Sequence, residues 1–95
     1  MLEELVLSEN QLEEIPSSIT NFASLRTLKL QNNKLKHIPY ELADITTLEE
    51  LDCSNNEQLQ MVPKLWRGDT DSVLFVCKIH RGTHPQSINL YALIL

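Results

Sequence analysis

The side chains able to do chemistry are few and scattered. Cys53 and Cys77 could supply a thiolate nucleophile, and His37, His80 and His84 a general base. Glu13/Glu14 and Glu49/Glu50 could pair as general acid and base. Each of these uses requires convergence, and the spacing does not provide it. Neither cysteine belongs to a CxxC pair, and no Cys/His cluster has zinc spacing. His80 and His84 are separated by Gly82, so they do not share a helical face. His37 stands before Ile38 at a variable position and reads as solvated. The adjacent glutamates read as surface pairs rather than a buried dyad. There is no GxGxxG, P-loop, HExxH or GxSxG. Arg67-Gly68-Asp69 spells an adhesion-like tripeptide, but it reads as a Gly-Asp step before a helix. The expectation is a non-enzyme with no catalytic residue, cofactor or metal.

What does recur is an amide. Asn10, Asn33 and Asn56 are spaced 23 residues apart, each in the same frame of leucines. "LVLSENQLEEIP" returns as "LKLQNNKLKHIP" and again as "LDCSNNEQLQMVP". The first unit runs Leu2, Leu5, Leu7, Asn10, Leu12, Ile15, Pro16, Ile19, Phe22. The second runs Leu25, Leu28, Leu30, Asn33, Leu35, Ile38, Pro39, Leu42, Ile45. The third runs Leu48, Leu51, Cys53, Asn56, Leu59, Val62, Pro63 and Leu65, with one residue added between Asn56 and Leu59. A catalytic centre occurs once, whereas a pattern at fixed distance marks a unit that stacks on copies of itself.

The elements follow from this spacing. Leu5-Val6-Leu7 alternates with period two, which is a short strand with the leucines on one side. The asparagines sit where the chain turns, and a buried amide there must bond backbone groups of its own and the neighbouring unit. Pro16, Pro39 and Pro63 fix φ and end regular pairing. "SSITNFAS" and "YELADITT" place apolar residues three apart and read as one helical turn each. Cys53 replaces a core leucine and reads as a small buried hydrophobe.

These residues resemble the leucine-rich repeat, LxxLxLxxNxLxxIPxxIxxLxx, over residues 2–65. The 23-residue period with Ile-Pro is similar to the intracellular, Ras-scaffold-like subclass. The resemblance implies an α/β repeat solenoid of about three leucine-rich repeats. Parallel strands would line the concave face, helical turns the convex face, and a helix would cap the C-terminus. The repeats would be 2–24, 25–47 and a partial 48–65, with 66–95 as cap and tail. The front of the first repeat carries no cap, so Leu2, Leu5 and Leu7 would face water on one side. The chain is therefore expected to be either a piece of a longer array or a truncated product.

Composition narrows the setting. The 95 residues include 17 leucines and carry a net charge of −5, which argues against non-specific binding to nucleic acid. Residues 1–63 hold 11 acids and 4 bases, whereas residues 64–95 hold 2 acids and 4 bases. Two unlike cysteines point to a reducing compartment, cytoplasmic or nuclear. Glu3 and Glu4 stand where a signal peptide would need positive charge, and the apolar run 90–95 is too short to span a membrane.

The resemblance also implies where binding would occur. The outward columns of the strand face are Glu4/Thr27/Glu50, Val6/Lys29/Asp52, Ser8/Gln31/Ser54 and Glu9/Asn32/Asn55. Neighbouring strands lie about 4.8 Å apart, so Lys29 is expected to pair with Asp52. The columns are polar, of mixed sign and poor in aromatic residues.

Beyond the repeats, Gly68 breaks the chain. Asp69, Asp71 or Ser72 can cap a helix over 71–81, with an apolar face of Val73, Phe75/Val76 and Ile79. One reading has this helix close the open end of the last repeat. A second has it dock a partner through Ser72, Val73, Val76 and Cys77. "SVLFVCKIH" partly resembles the elongin-binding box of ubiquitin-ligase receptors, and "HPQSINLYAL" has Pro85 and Ile88 spaced somewhat like a cullin-selecting box. "INLYALIL" stays open between a strand, a docked helix and an end produced by altered splicing. The expected function is a non-catalytic protein-interaction scaffold whose partners are other proteins. The alternative is a substrate-recognition adaptor of an elongin/cullin ubiquitin ligase.

Overall fold

A three-residue strand forms in each repeat because alternate leucines need cover on one side only. In the computed structural model, which describes residues 1–81, these strands are β1 (Glu4–Val6), β2 (Thr27–Lys29) and β3 (Glu50–Asp52). They make one parallel sheet in the order β1-β2-β3. The register sets Leu5 beside Leu28 and Leu28 beside Leu51, the 23-residue offset read from the sequence. Leu28, Leu30, Leu51 and Cys53 are fully buried, while Val6, one residue out of phase, is 57% exposed.

Directly after each strand the chain makes a left-handed step. Glu9, Asn32 and Asn55 have φ of 58°, 61° and 55°, each just before a ladder asparagine. That step swings the next side chain inward. Asparagine tolerates this conformation, whereas glutamate at position 9 costs roughly 1 kcal/mol more.

The amide ladder then ties the repeats together. Asn33 Nδ2 donates to the carbonyls of Leu7 and Leu30, both at 2.9 Å. Its Oδ1 accepts from the backbone N–H groups of Asn10 at 3.1 Å and Leu12 at 3.2 Å. Asn56 repeats the arrangement, donating to Leu30 at 3.1 Å and Cys53 at 2.9 Å and accepting from Leu35 at 3.0 Å. Asn33 and Asn56 are buried. Asn10 departs from the expected buried ladder: it is exposed at the sheet edge, and its side chain donates to the carbonyls of Leu7 and Ser8 in its own repeat.

On the opposite side each proline leads into a 3₁₀ turn, over Ser17–Asn21, Tyr40–Asp44 and Lys64–Trp66. Ile19 and Leu42 plug the core three residues after their prolines. The same count places Trp66 after Pro63, and Trp66 packs against the core. Leu65, expected in the core, is instead 94% exposed, because it falls one residue short of that position. The 23-residue offset also builds ion pairs across repeats, Arg26–Glu3 at 3.8 Å, Arg26–Glu49 at 2.8 Å and Lys36–Glu13 at 3.3 Å, and sets the His37 ring 3.5 Å from the Glu14 carboxylate. Exposed pairs of this kind each contribute about 0–1 kcal/mol.

The last element is helix α1 (Thr70–Arg81). Asp69 caps it, its carboxylate accepting the Ser72 N–H at 3.1 Å and the Ser72 hydroxyl. The helix packs on the second 3₁₀ turn and on β3. Val73, Val76 and Cys77, at i, i+3 and i+4, are wholly buried. Phe75, expected on that face with Val76, is on the exposed side because its helical phase turns it away. The "INLYALIL" and "HPQSINLYAL" stretches lie outside the described residues, as does His84.

Removing the Asn33 amide strands the N–H groups of Asn10 and Leu12 and takes one of two amide donors from each of the Leu7 and Leu30 carbonyls. Asn33→Ala is expected to cost about 2–4 kcal/mol in urea unfolding, and Asn10→Ala less than about 1 kcal/mol. Equal costs at the two positions would contradict a ladder that works between repeats.

Candidate functional site

The sheet presents its outward side chains in ordered rows. Glu4, Thr27 and Glu50 stand in register, as do Val6, Lys29 and Asp52. Past the strands, Glu9 N–H bonds the Gln31 carbonyl at 3.0 Å and Asn32 N–H the Ser54 carbonyl at 3.1 Å. These bonds keep Ser8, Gln31 and Ser54 aligned as a third row. Glu9, Asn32 and Asn55 form the fourth, at the left-handed steps.

The charges on this face pair differently from the sequence-based expectation. Lys29 was expected to meet Asp52, its direct neighbour. Its ammonium instead bonds the Glu50 carboxylate diagonally across the strands. Asp52 turns back locally, its Oδ1 accepting Ser54 N–H at 3.0 Å and Ser54 Oγ–H at 2.7 Å. A short side chain satisfied by its own turn leaves the longer Glu50 to reach the lysine. The Glu50 contact, aided by Asp52 and Glu4, holds the Lys29 ammonium above its usual pKa. One cation thus stands among three carboxylates. Beside it the side-chain oxygen of Gln31 is shielded from solvent and meets no donor among the described residues.

The two edges of the sheet are unlike. At β3 the outward backbone groups are closed. Cys53 N–H donates to the Arg67 carbonyl at 2.9 Å, and Leu51 N–H to the Thr70 hydroxyl at 2.8 Å. The Arg67 guanidinium, with its residue only 8% exposed, turns into the third repeat. It donates to the carbonyls of Val62 at 3.0 Å, Asn56 at 3.0 Å and Leu59 at 2.6 Å. In the first repeat the Leu12 carbonyl, which corresponds to Leu59, receives the Lys34 N–H of the next repeat at 2.9 Å, and the adjoining Glu13 carbonyl receives the Lys36 N–H at 3.1 Å. Arg67 therefore stands in for a fourth repeat. It went unnoticed in the sequence, where the sole signal was its position. Four residues after each proline the first two repeats have the smaller Thr20 and Ala43.

At β1 nothing similar occurs among the described residues. Leu5, Leu7, Leu12, Ile15, Ile19 and Phe22 line an apolar groove, and Leu2 is 40% exposed.

The candidate chemistry is dispersed. Glu13 and Glu49 face cations of neighbouring repeats, Glu14 faces the His37 ring, and Glu50 faces Lys29. His37 is exposed, as expected, and its ring lies 3.5 Å from the Glu14 carboxylate. Burial pushes both thiols up to about 12, so neither offers a thiolate near neutrality. Arg67 is committed to carbonyls, so the Arg-Gly-Asp tripeptide has no exposed arginine to present. The partner-helix reading also meets a correction. Val73, Val76 and Cys77 point into the repeats rather than outward, and Ser72 is held by the Asp69 cap. Packing on β3 and the second 3₁₀ turn uses the same stripe that a partner's groove would need.

Arg67→Ala removes three donors from the third repeat, leaving the Val62 carbonyl without one while the Asn56 and Leu59 carbonyls keep only backbone N–H groups, and is expected to cost about 3–5 kcal/mol in urea unfolding. Arg67→Lys should recover less than half of that, since one ammonium cannot span the three sites; full recovery would show that charge alone matters. The buried thiols set a pH dependence. Both states keep them protonated below about 9, and above it only the unfolded chain ionises until about 12. Stability should fall as pH rises across that window, by up to about 1.4 kcal/mol per thiol per unit, and less steeply in Cys77→Ala. An identical slope in the variant would argue against a buried thiol.

The described residues contain no helix long and apolar enough to cross a membrane. Comparison with curated proteins and with solved structures gave no match. The family pattern described as leucine rich repeat matches residues 1–57. With its leucine frame, parallel strands and amide ladder all in that register, the chain belongs to the leucine-rich repeat family.

Proposed function

We propose that this chain is a non-catalytic protein-interaction module of the intracellular, 23-residue subclass. In this reading residues 1–65 form a short solenoid, residues 66–95 form its cap and tail, and the outward sheet face is the concave contact surface. Leucine-rich-repeat domains generally mediate protein–protein interaction. The observation that carries the reading is the sheet face itself. Its rows from Glu4 to Asn55 are held rigid by the ladder and are not used in packing. Lys29 is outnumbered there by Glu4, Glu50 and Asp52. This excess of carboxylates favours a partner that brings positively charged groups to the face.

The cysteine usage favours the cytoplasm or nucleus, where buried thiols such as Cys53 and Cys77 stay reduced. The elongin/cullin adaptor reading would require α1 to leave its place and expose Val73 and Cys77. The scaffold role is therefore preferred.

A photo-crosslinking residue placed at Gln31 in cells should capture a protein with a basic contact segment, and the same residue at Ser18 on the turn side should not. Adding Glu4→Lys and Glu50→Lys should reduce capture at least tenfold. Equal capture from both faces, insensitive to the charge reversals, would rule out the sheet face.

A further inference from the structure

The third repeat carries one residue more than the others, between Asn56 and Leu59. Where the first two repeats meet, the loop after the ladder asparagine is tied by two backbone bonds, Lys34 N–H to the Leu12 carbonyl and Lys36 N–H to the Glu13 carbonyl. One repeat on, the corresponding carbonyls belong to Leu35 and Lys36, and among the described residues neither receives a backbone N–H. The longer loop turns on itself instead. Leu59 N–H donates to the Asn56 carbonyl at 3.1 Å, and Gln60 N–H to the Gln58 carbonyl at 2.9 Å. At the tip of that turn the backbone N–H groups of Glu57 and Gln58 bond no carbonyl among the described residues.

A groove of about 570 Å³ lies beside this loop, lined by Glu13, Asn33, Lys34, Lys36, Glu57 and Gln58. Its volume falls in the ligand-site range of roughly 300–1,000 Å³. Much of its lining is already committed. Lys36 pairs with Glu13 at 3.3 Å, and the Asn33 amide is spent on the ladder. Lys34 and Glu57 are different. They stand at matching places in adjacent repeats, each one residue after its ladder asparagine, and neither has an ion-pair partner among the described residues. We propose that this notch binds an extended peptide segment of a protein partner, one with an acidic and a basic residue two positions apart.

Both the backbone and the charges select this occupant. The inserted residue removes N–H to C=O bonds between two loops, and an extended chain is the ligand that carries both missing kinds of group. Its N–H can serve the Lys36 carbonyl, and its carbonyls the N–H groups of Glu57 and Gln58. A helical segment has its backbone groups paired internally and offers neither. In an extended chain, residues two apart point to the same side, about 6.6–6.8 Å from one another. A carboxylate can then meet Lys34 while an ammonium meets Glu57. A ligand of one sign only would leave one of these charges facing its own kind. The notch is on the loop flank and shares no residue with the sheet-face rows, so it stands independently of the basic partner proposed for that face.

The test titrates the full, nitrogen-15-labelled chain with the peptide acetyl-Val-Glu-Val-Lys-Val-amide into the millimolar range. Amide shifts should concentrate at Lys34, Lys36, Glu57 and Gln58. The double variant Lys34→Glu with Glu57→Lys should bind this peptide at least fivefold more weakly and recover with acetyl-Val-Lys-Val-Glu-Val-amide, in which the charges are exchanged. Deleting Gln58 restores the 23-residue spacing, lets the loop bond the Leu35 and Lys36 carbonyls, and should abolish the shifts. The charge exchange decides the matter even if the deletion does not fold. No shift at these four amides would mean a notch filled by water only and overturn the proposal. Shifts at Thr27 and Lys29 in their place would move the peptide to the sheet face and overturn it too, as would equal affinity of both peptides for both chains.

Discussion

No repeat in this chain can satisfy its own backbone. A three-residue strand buries leucines on one side, but half its N–H and C=O groups point at a neighbour. The turn after it folds further polar groups inward. The side-chain amides of Asn33 and Asn56 resolve this by bonding two repeats at once. Everything else follows from that constraint. The left-handed step at Glu9, Asn32 and Asn55 exists to aim the amide. The prolines exist to end the strand layer, so that Ile19 and Leu42 can cover the leucines from behind. Because each repeat depends on the next, the ends of the sheet carry the structural difficulty.

The two ends answer that difficulty differently. At β3 the chain leaves the repeat pattern early and doubles back. The Arg67 carbonyl and Thr70 hydroxyl take the place of a strand, and the Arg67 guanidinium takes the place of a loop. A guanidinium suits this task because its donors spread in a plane and can reach several carbonyls at once. Helix α1 then completes the closure with Val73, Val76 and Cys77. The same residues cannot seal a core and fill a partner's groove in one conformation. That competition, rather than any weakness of the sequence resemblance, is what sets the adaptor reading behind the scaffold reading.

Much of this was legible because the repeat states each rule three times. Leu5, Leu28 and Leu51 align as their spacing requires, and the proline-led turns fall where the apolar triplets place them. The misses occur where the period stops informing. Leu65 looked like a core residue by type, but counting from the proline selects Trp66. Lys29 and Asp52 are neighbours in register, yet register does not decide between a direct and a diagonal partner, and Glu50 won through its longer side chain. Arg67 was invisible because its role is defined by a repeat that does not follow it. Helical phase gave Val73 and Cys77 a common side, and only the packing shows that this side faces inward.

The candidate contact face follows from the same stacking logic. Inward positions are fixed by the leucine frame and turn positions by the amide ladder, which leaves the outward strand residues as the places where one repeat can differ from the next. They do differ: Val6, Lys29 and Asp52 occupy one row with an apolar, a basic and an acidic side chain. A surface assembled this way is rigid, because its backbone is tied at every repeat. In the proposed role, recognition would depend on charge placement and little on induced order. A partner that supplies donors to this face would lose little entropy in ordering the protein, while one that needed α1 would first have to open the closed end of the sheet.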